Sequence, residues 1–73
     1  MSATSNTLEQ LASLIRLRRR SLGFSQQDVA DLCGVQRQTI GRVEAADPTV
    51  GMGTVVAVTD VLGIDIVTHG APA

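Results

Sequence analysis

The chain has 73 residues, a formal net charge of -1, 44% hydrophobic residues, one Phe, no Trp or Tyr, and a single cysteine. A domain this small buries only roughly 60% of its unfolded surface, so a second copy of the chain is an expected source of stability. The core must be aliphatic; the lack of rings excludes a grip on single-stranded nucleic acid by base stacking, and the lone Cys33 excludes an internal disulfide.

Residues 1–6 are polar and lack the apolar centre of a signal peptide; they are expected to be flexible. Asn6 or Thr7 can cap a first helix, with Glu9 or Gln10 completing the box, and Leu8, Leu11, Ala12, Ile15 and Leu22 recur at helical spacing until Gly23 stops it. Arg18 and Arg20 read as a solvated basic end that suits the helix dipole. Arg19 shares the stripe of Leu8, Ile15 and Leu22, so it points inward and needs a partner.

Ser25 with Asp28 three residues on predicts a capping box opening a second helix at Gln26. Val29, Ala30, Leu32 and Cys33 form its apolar side, with Ala30 small enough for a close helix crossing. Gly34 supplies a left-handed turn, and Ile40 and Val43 on the next segment face back toward Val29 and Cys33. Two short helices joined this tightly make a helix-turn-helix over residues 26–45, with Gln36, Arg37, Gln38, Gly41 and Arg42 left outward. Arginine can bond guanine bidentately and glutamine can do the same to adenine, so that ridge suits a major groove of double-stranded DNA.

Pro48 marks a loop after this motif. Val50–Gly53 reads as turn or loop, and Thr54 as the start of a fourth helix closed by Gly63, although the β-branched Val55, Val56 and Val58 keep a strand open as an alternative. Residues 64–69 contain the alternating Ile64, Ile66 and Val67 of a short strand. With no partner in the chain, that strand is expected to pair across a homodimer, the alternative being a frayed tail. His69 reads as exposed and residues 70–73 as flexible. The domain proper is expected over residues 7–63.

The six arginines all lie in residues 1–42, against Glu9, Asp28 and Asp31, for a net +3; residues 43–73 carry Glu44, Asp47, Asp60 and Asp65 for -4. A basic face on a weakly acidic chain fits docking on a defined surface rather than indiscriminate phosphate attraction. One His, one Cys, no Lys and no clustered carboxylates leave no nucleophile–base pair and no metal set, so neither enzyme activity nor a cofactor is expected. No apolar run spans a membrane, and a cytoplasmic location is expected.

Through Ile15-Arg16-Leu17-Arg18-Arg19, Leu22-Gly23-Phe24-Ser25-Gln26, Val29-Ala30, Cys33-Gly34-Val35, Gln38-Thr39-Ile40 and Arg42-Val43-Glu44, the sequence resembles the Cro and phage-repressor type helix-turn-helix family. Pro48-Thr49-Val50, Gly53-Thr54-Val55 and Asp60-Val61-Leu62-Gly63-Ile64 are similar to its HipB-like antitoxin and regulator branch. The resemblance implies an all-α, lambda-repressor-like domain of four or five helices with a C-terminal strand shared across a dimer. It also implies base reading by Gln36, Arg37, Gln38 and Arg42, phosphate contacts by Gln26 and Thr39, and a buried ion pair between Arg19 and Glu44. Two departures stand out. Gln36 replaces the usual Ser or Thr cap, and Ala46 and Asp47 replace the usual basic loop, where an acid would repel a phosphate. The implied function is a dimeric repressor of transcription; the alternative is an antitoxin that holds a toxin protein and represses its own operon.

Overall fold

Four helices follow one another along the chain: α1 (Ala3–Ser21), α2 (Gln26–Cys33), α3 (Arg37–Glu44) and α4 (Met52–Val61). The computed structural model describes residues 3–67 and Gly70, with side chains from Thr7 onward. The expected flexible ends at Met1 and Ser2 and at 71–73, the end of the expected strand at Thr68, and His69 lie outside the described residues.

Every helix ends in the same way. Its last turn is closed by a pair of bonds, from the residue after the turn back five positions and from the turn residue back three, which satisfies carbonyls that the helix leaves open. After α2 these are Val35 N to Ala30 O at 3.0 Å and Gly34 N to Asp31 O at 3.3 Å, with Gly34 at φ 70°, where a side chain would be strained. Gly23 and Gly63 repeat the pattern after α1 and α4. In these three, the residue past the glycine is Phe24, Val35 or Ile64, and each folds back onto the core. α3 makes the same bonds, Asp47 N to Arg42 O at 3.0 Å and Ala46 N to Val43 O at 3.2 Å, but its left-handed residue is Ala46 at φ 59° and the next residue is Asp47.

The core joins Ile15 of α1, Val29 and Ala30 of α2, Ile40 and Val43 of α3, and Val58 and Leu62 at α4. α2 packs against α3 and α4, and α1 against α3. Val55, Val58 and Leu62 lie at helical spacing on the inward side of α4, so tertiary burial overrides the weak helix propensity of the valines. Thr59, also buried, satisfies its hydroxyl by donating to Val56 O at 2.8 Å.

Several expectations are corrected. α1 begins at Ala3 rather than at an Asn6 or Thr7 cap, since neither Gly nor Pro interrupts the chain from Ala3 to Leu22. α4 begins at Met52 with Gly51 as its cap, so Met52 and Gly53 are helical rather than loop. Leu22 and Leu32 are 42% and 59% exposed and stand outside the apolar stripes that were expected to hold them. Residues 64–67 form no strand within the single chain. Arg18 is not merely solvated: its Nε donates to Leu62 O at 2.9 Å, tying the end of α1 to the end of α4.

Arg19 and Glu44 clamp α1 to α3 inside this frame. Nε donates to Oε2 at 2.6 Å and Nη2 to Oε1 at 3.0 Å, while Nη1 donates to Phe24 O at 2.9 Å. The Glu44 carboxylate raises the pKa of Arg19 against the burial that lowers it. Such a pair adds little net stability over apolar groups, but one partner left alone is an uncompensated buried charge. Glu44→Ala is therefore expected to lower unfolding free energy by about 3–5 kcal/mol in urea denaturation, with the double change Arg19→Met, Glu44→Leu recovering most of the loss. Equal losses in the single and double variants would refute this account.

Candidate nucleic-acid interface

The second helix of the turn motif is held from below. Ile40 and Val43 are buried while Gln36, Arg37, Gln38 and Arg42 are exposed, so α3 presents one polar ridge. Its angle is set by the Gly34 turn and by the capping box of α2, in which Ser25 Oγ accepts from Asp28 N at 3.0 Å and Asp28 Oδ2 accepts from Ser25 N at 2.8 Å. The Ser25 backbone N–H, and after it the Ser25 hydroxyl, hold the Asp28 carboxyl below its ordinary pKa. Cys33 packs against the core, and burial pushes its thiol up in pKa, away from reactivity.

Gln26, half-buried at the start of α2, links the clamp to the ridge. Its Nε2 donates to Glu44 Oε1 at 3.3 Å and its Oε1 accepts from Arg37 Nη1 at 3.4 Å. Both bonds are long, so they guide Arg37 without fixing it. Gln36 caps α3 by backbone alone, with no side-chain bond, and Thr39 is half-buried behind the ridge.

Arg42 is held more firmly. Nε donates to Asp47 Oδ2 at 2.9 Å and Nη2 donates to Thr49 Oγ1 at 2.6 Å; that hydroxyl in turn donates to Asp47 Oδ1 at 2.6 Å, and Thr49 N donates to the same oxygen at 2.8 Å. Asp47 is thus a counter-charge to Arg42 rather than a free acid in the loop. The Thr49 hydroxyl, then the Arg42 guanidinium and the Thr49 N–H, hold the Asp47 carboxyl well below the ordinary carboxylate range. A lowered value means that the ring of bonds is complete above that ordinary range and is lost only as pH falls through the lowered one. Sequence reasoning missed Thr49; an Asp followed two residues later by Thr, just past a helix end, is the local signal for such a turn.

The family profile described as "Helix-turn-helix domain" matches residues 10–69, which take in α2, α3, α4 and most of α1. The chain belongs to the helix-turn-helix domain family. No curated protein matches it. Among the described residues of this helix-turn-helix domain, no group of three or more His, Cys, Asp or Glu could hold a metal ion, and no helix is long and apolar enough to cross a membrane.

Gly41 sits mid-helix on the outer side of α3, where an added Cβ would meet only Gln26 Oε1 at 3.9 Å, an ordinary contact. The fold does not require glycine there, and glycine weakens a helix interior. Gly41→Ala is expected to raise unfolding free energy by about 0.5–1 kcal/mol in urea denaturation. A loss of stability would mean that the ridge is packed more tightly than its geometry indicates.

Proposed function

We propose that this helix-turn-helix domain is a sequence-specific regulator of transcription that binds double-stranded DNA, acting as a dimeric repressor on a pseudo-palindromic operator. The observation that carries the reading is the α3 ridge: four side chains able to bond base edges stand exposed above the buried Ile40, Val43 and Glu44, on the second helix of a rigid turn. Arg37 and Arg42 suit guanine and Gln36 and Gln38 suit adenine or a thymine-flanking position. Gly41 between them lets the backbone approach the groove closely. Gln26 and Thr39 flank the ridge where phosphates would run, Gln26 at the N-terminus of α2.

Dimerisation is supported by unburied apolar surface at the other end of the chain. Met52 and Val67 are 72% and 70% exposed, and Val56 and Ile66 stand beside them around a shared hollow with Ile64. Pairing residues 64–67 with a second copy would cover Ile66 and Val67 and supply the strand with a partner. Two ridges so related would meet half-sites about one helical turn apart.

Arg37→Ala is expected to weaken binding to a selected operator by about 1–3 kcal/mol and to relax one base position, read by fluorescence anisotropy at fixed salt. An unchanged affinity and preference would remove Arg37 from the reading surface. Ile66→Asp is expected to shift the chain toward monomer in sedimentation equilibrium; an unaltered dimer would place the interface elsewhere. Co-purification with the product of an adjacent toxin-like gene, in the absence of operator binding, would favour the antitoxin alternative instead.

A further inference from the structure

Three of the four helix ends place an apolar residue past the turn, so that Phe24, Val35 and Ile64 fold onto the core. The fourth does something else with the same backbone. Residue 47 there returns over residue 42, the pair that normally meets through apolar contact in this motif, and the pair is Asp47 with Arg42. It is reached through Ala46 at φ 59°, a left-handed conformation that disfavours alanine. Pro48 adds a further restraint by disfavouring helical geometry at Asp47.

The bonds occupy one edge of the guanidinium. Nε and one hydrogen of Nη2 are taken by Asp47 and Thr49, and Arg42 makes no other side-chain bond among the described residues. Nη1 and the second hydrogen of Nη2 therefore form an end-on fork with no acceptor among the described residues, on a side chain that is half exposed. A fork of that kind matches the O6 and N7 acceptors of guanine.

We propose that Asp47 and Thr49 are positioning residues that set Arg42 for bidentate recognition of one guanine in each half-site, making the loop after α3 a determinant of sequence specificity although it need not touch a base. The inference rests on the DNA-binding reading above. Its physical basis is preorganisation: an arginine side chain already fixed by a closed ring of three side chains loses less conformational freedom on meeting the base. Asp47 also cancels the charge of Arg42, so a misplaced fork gains little from phosphates nearby.

The test begins with wild-type selection of bound duplexes from a random pool. Affinities of the wild type, Arg42→Ala, Asp47→Ala and Thr49→Val are then measured at fixed salt on the selected site and its single-base variants. Replacing one guanine is expected to cost the wild type about tenfold in affinity. That preference should vanish in Arg42→Ala and fall by about fivefold or more in Asp47→Ala and Thr49→Val, with preferences at other positions and thermal unfolding midpoints retained. Thr49→Val keeps the charge and decides alone if Asp47→Ala does not fold.

Asp47→Ala that keeps the guanine preference and binds every duplex more tightly would show Asp47 to be only a repulsive acid, overturning the proposal. Arg42→Ala that loses affinity equally on all sequences, with a salt slope reduced by about 1, would assign Arg42 to a phosphate and overturn it as well. A wild type that selects duplex while both loop variants discriminate fully removes the positioning role alone. A wild type that binds no duplex removes the DNA-binding reading beneath it.

Discussion

The Arg19–Glu44 pair is the contact on which the geometry of the ridge depends. Glu44 is the last residue of α3, and its carboxylate is gripped from α1 by two arginine nitrogens and approached from α2 by Gln26. A carboxylate at a helix C-terminus is disfavoured by the dipole, so a cation has to be brought to it. Arg19 supplies that cation from a position otherwise occupied by aliphatic side chains, and its third nitrogen donates to Phe24 O, which fixes the entry to α2. One buried guanidinium thus orients three helices at once. No buried side-chain nitrogen or oxygen among the described residues is left without a partner, the condition under which such a polar centre can be kept in a small core.

The helix ends divide the work between stability and presentation. Where Gly23, Gly34 and Gly63 turn the chain, the residue that follows adds apolar contact to a core that has few large side chains to spare. At the end of α3 the same turn adds none, and it carries a non-glycine residue in a left-handed conformation. The domain therefore gives up a core contact and accepts local strain at the end of the helix that carries the exposed ridge. Strain of that kind persists only where the surroundings over-determine it, and here the surrounding bonds close a ring of Arg42, Asp47 and Thr49.

What could be seen in the sequence was whatever is encoded within a few residues. The Ser25–Asp28 box, the three glycine stops and the inward phase of Arg19 are local patterns, and they were legible for that reason. The four-helix all-α fold follows from them. The start of α4 at Met52 was not legible, because Gly51 and Gly53 read as turn signals until Val50 and Val55 are seen to pack inward. Nor was the exposure of Leu22 and Leu32, since each sits at the margin of an apolar stripe whose width is set by neighbouring helices. Arg18 reaching Leu62 spans 44 residues, and no spacing rule carries such a distance. The Arg42–Asp47–Thr49 ring is local in sequence yet was hidden, because Asp47 draws attention as a charge on a loop rather than as a bond acceptor for the preceding helix.

These pairings change how the charge of the chain should be weighed. Of six arginines, Arg19 is neutralised inside by Glu44 and Arg42 at the surface by Asp47, while Arg18 is engaged with a carbonyl. On α3 that leaves Arg37, whose partner Gln26 is neutral, as the uncompensated cation among the described residues. Arg16 and Arg20 belong to α1 rather than to the ridge helix. For the proposed DNA-binding role, attraction to phosphates is then a weak source of affinity in each copy, and little of the binding is indifferent to sequence. Fit of the ridge to base edges, repeated by a second copy on the same duplex face, has to supply the remainder, which ties the specificity of α3 to the apolar surface left open around Met52, Ile66 and Val67.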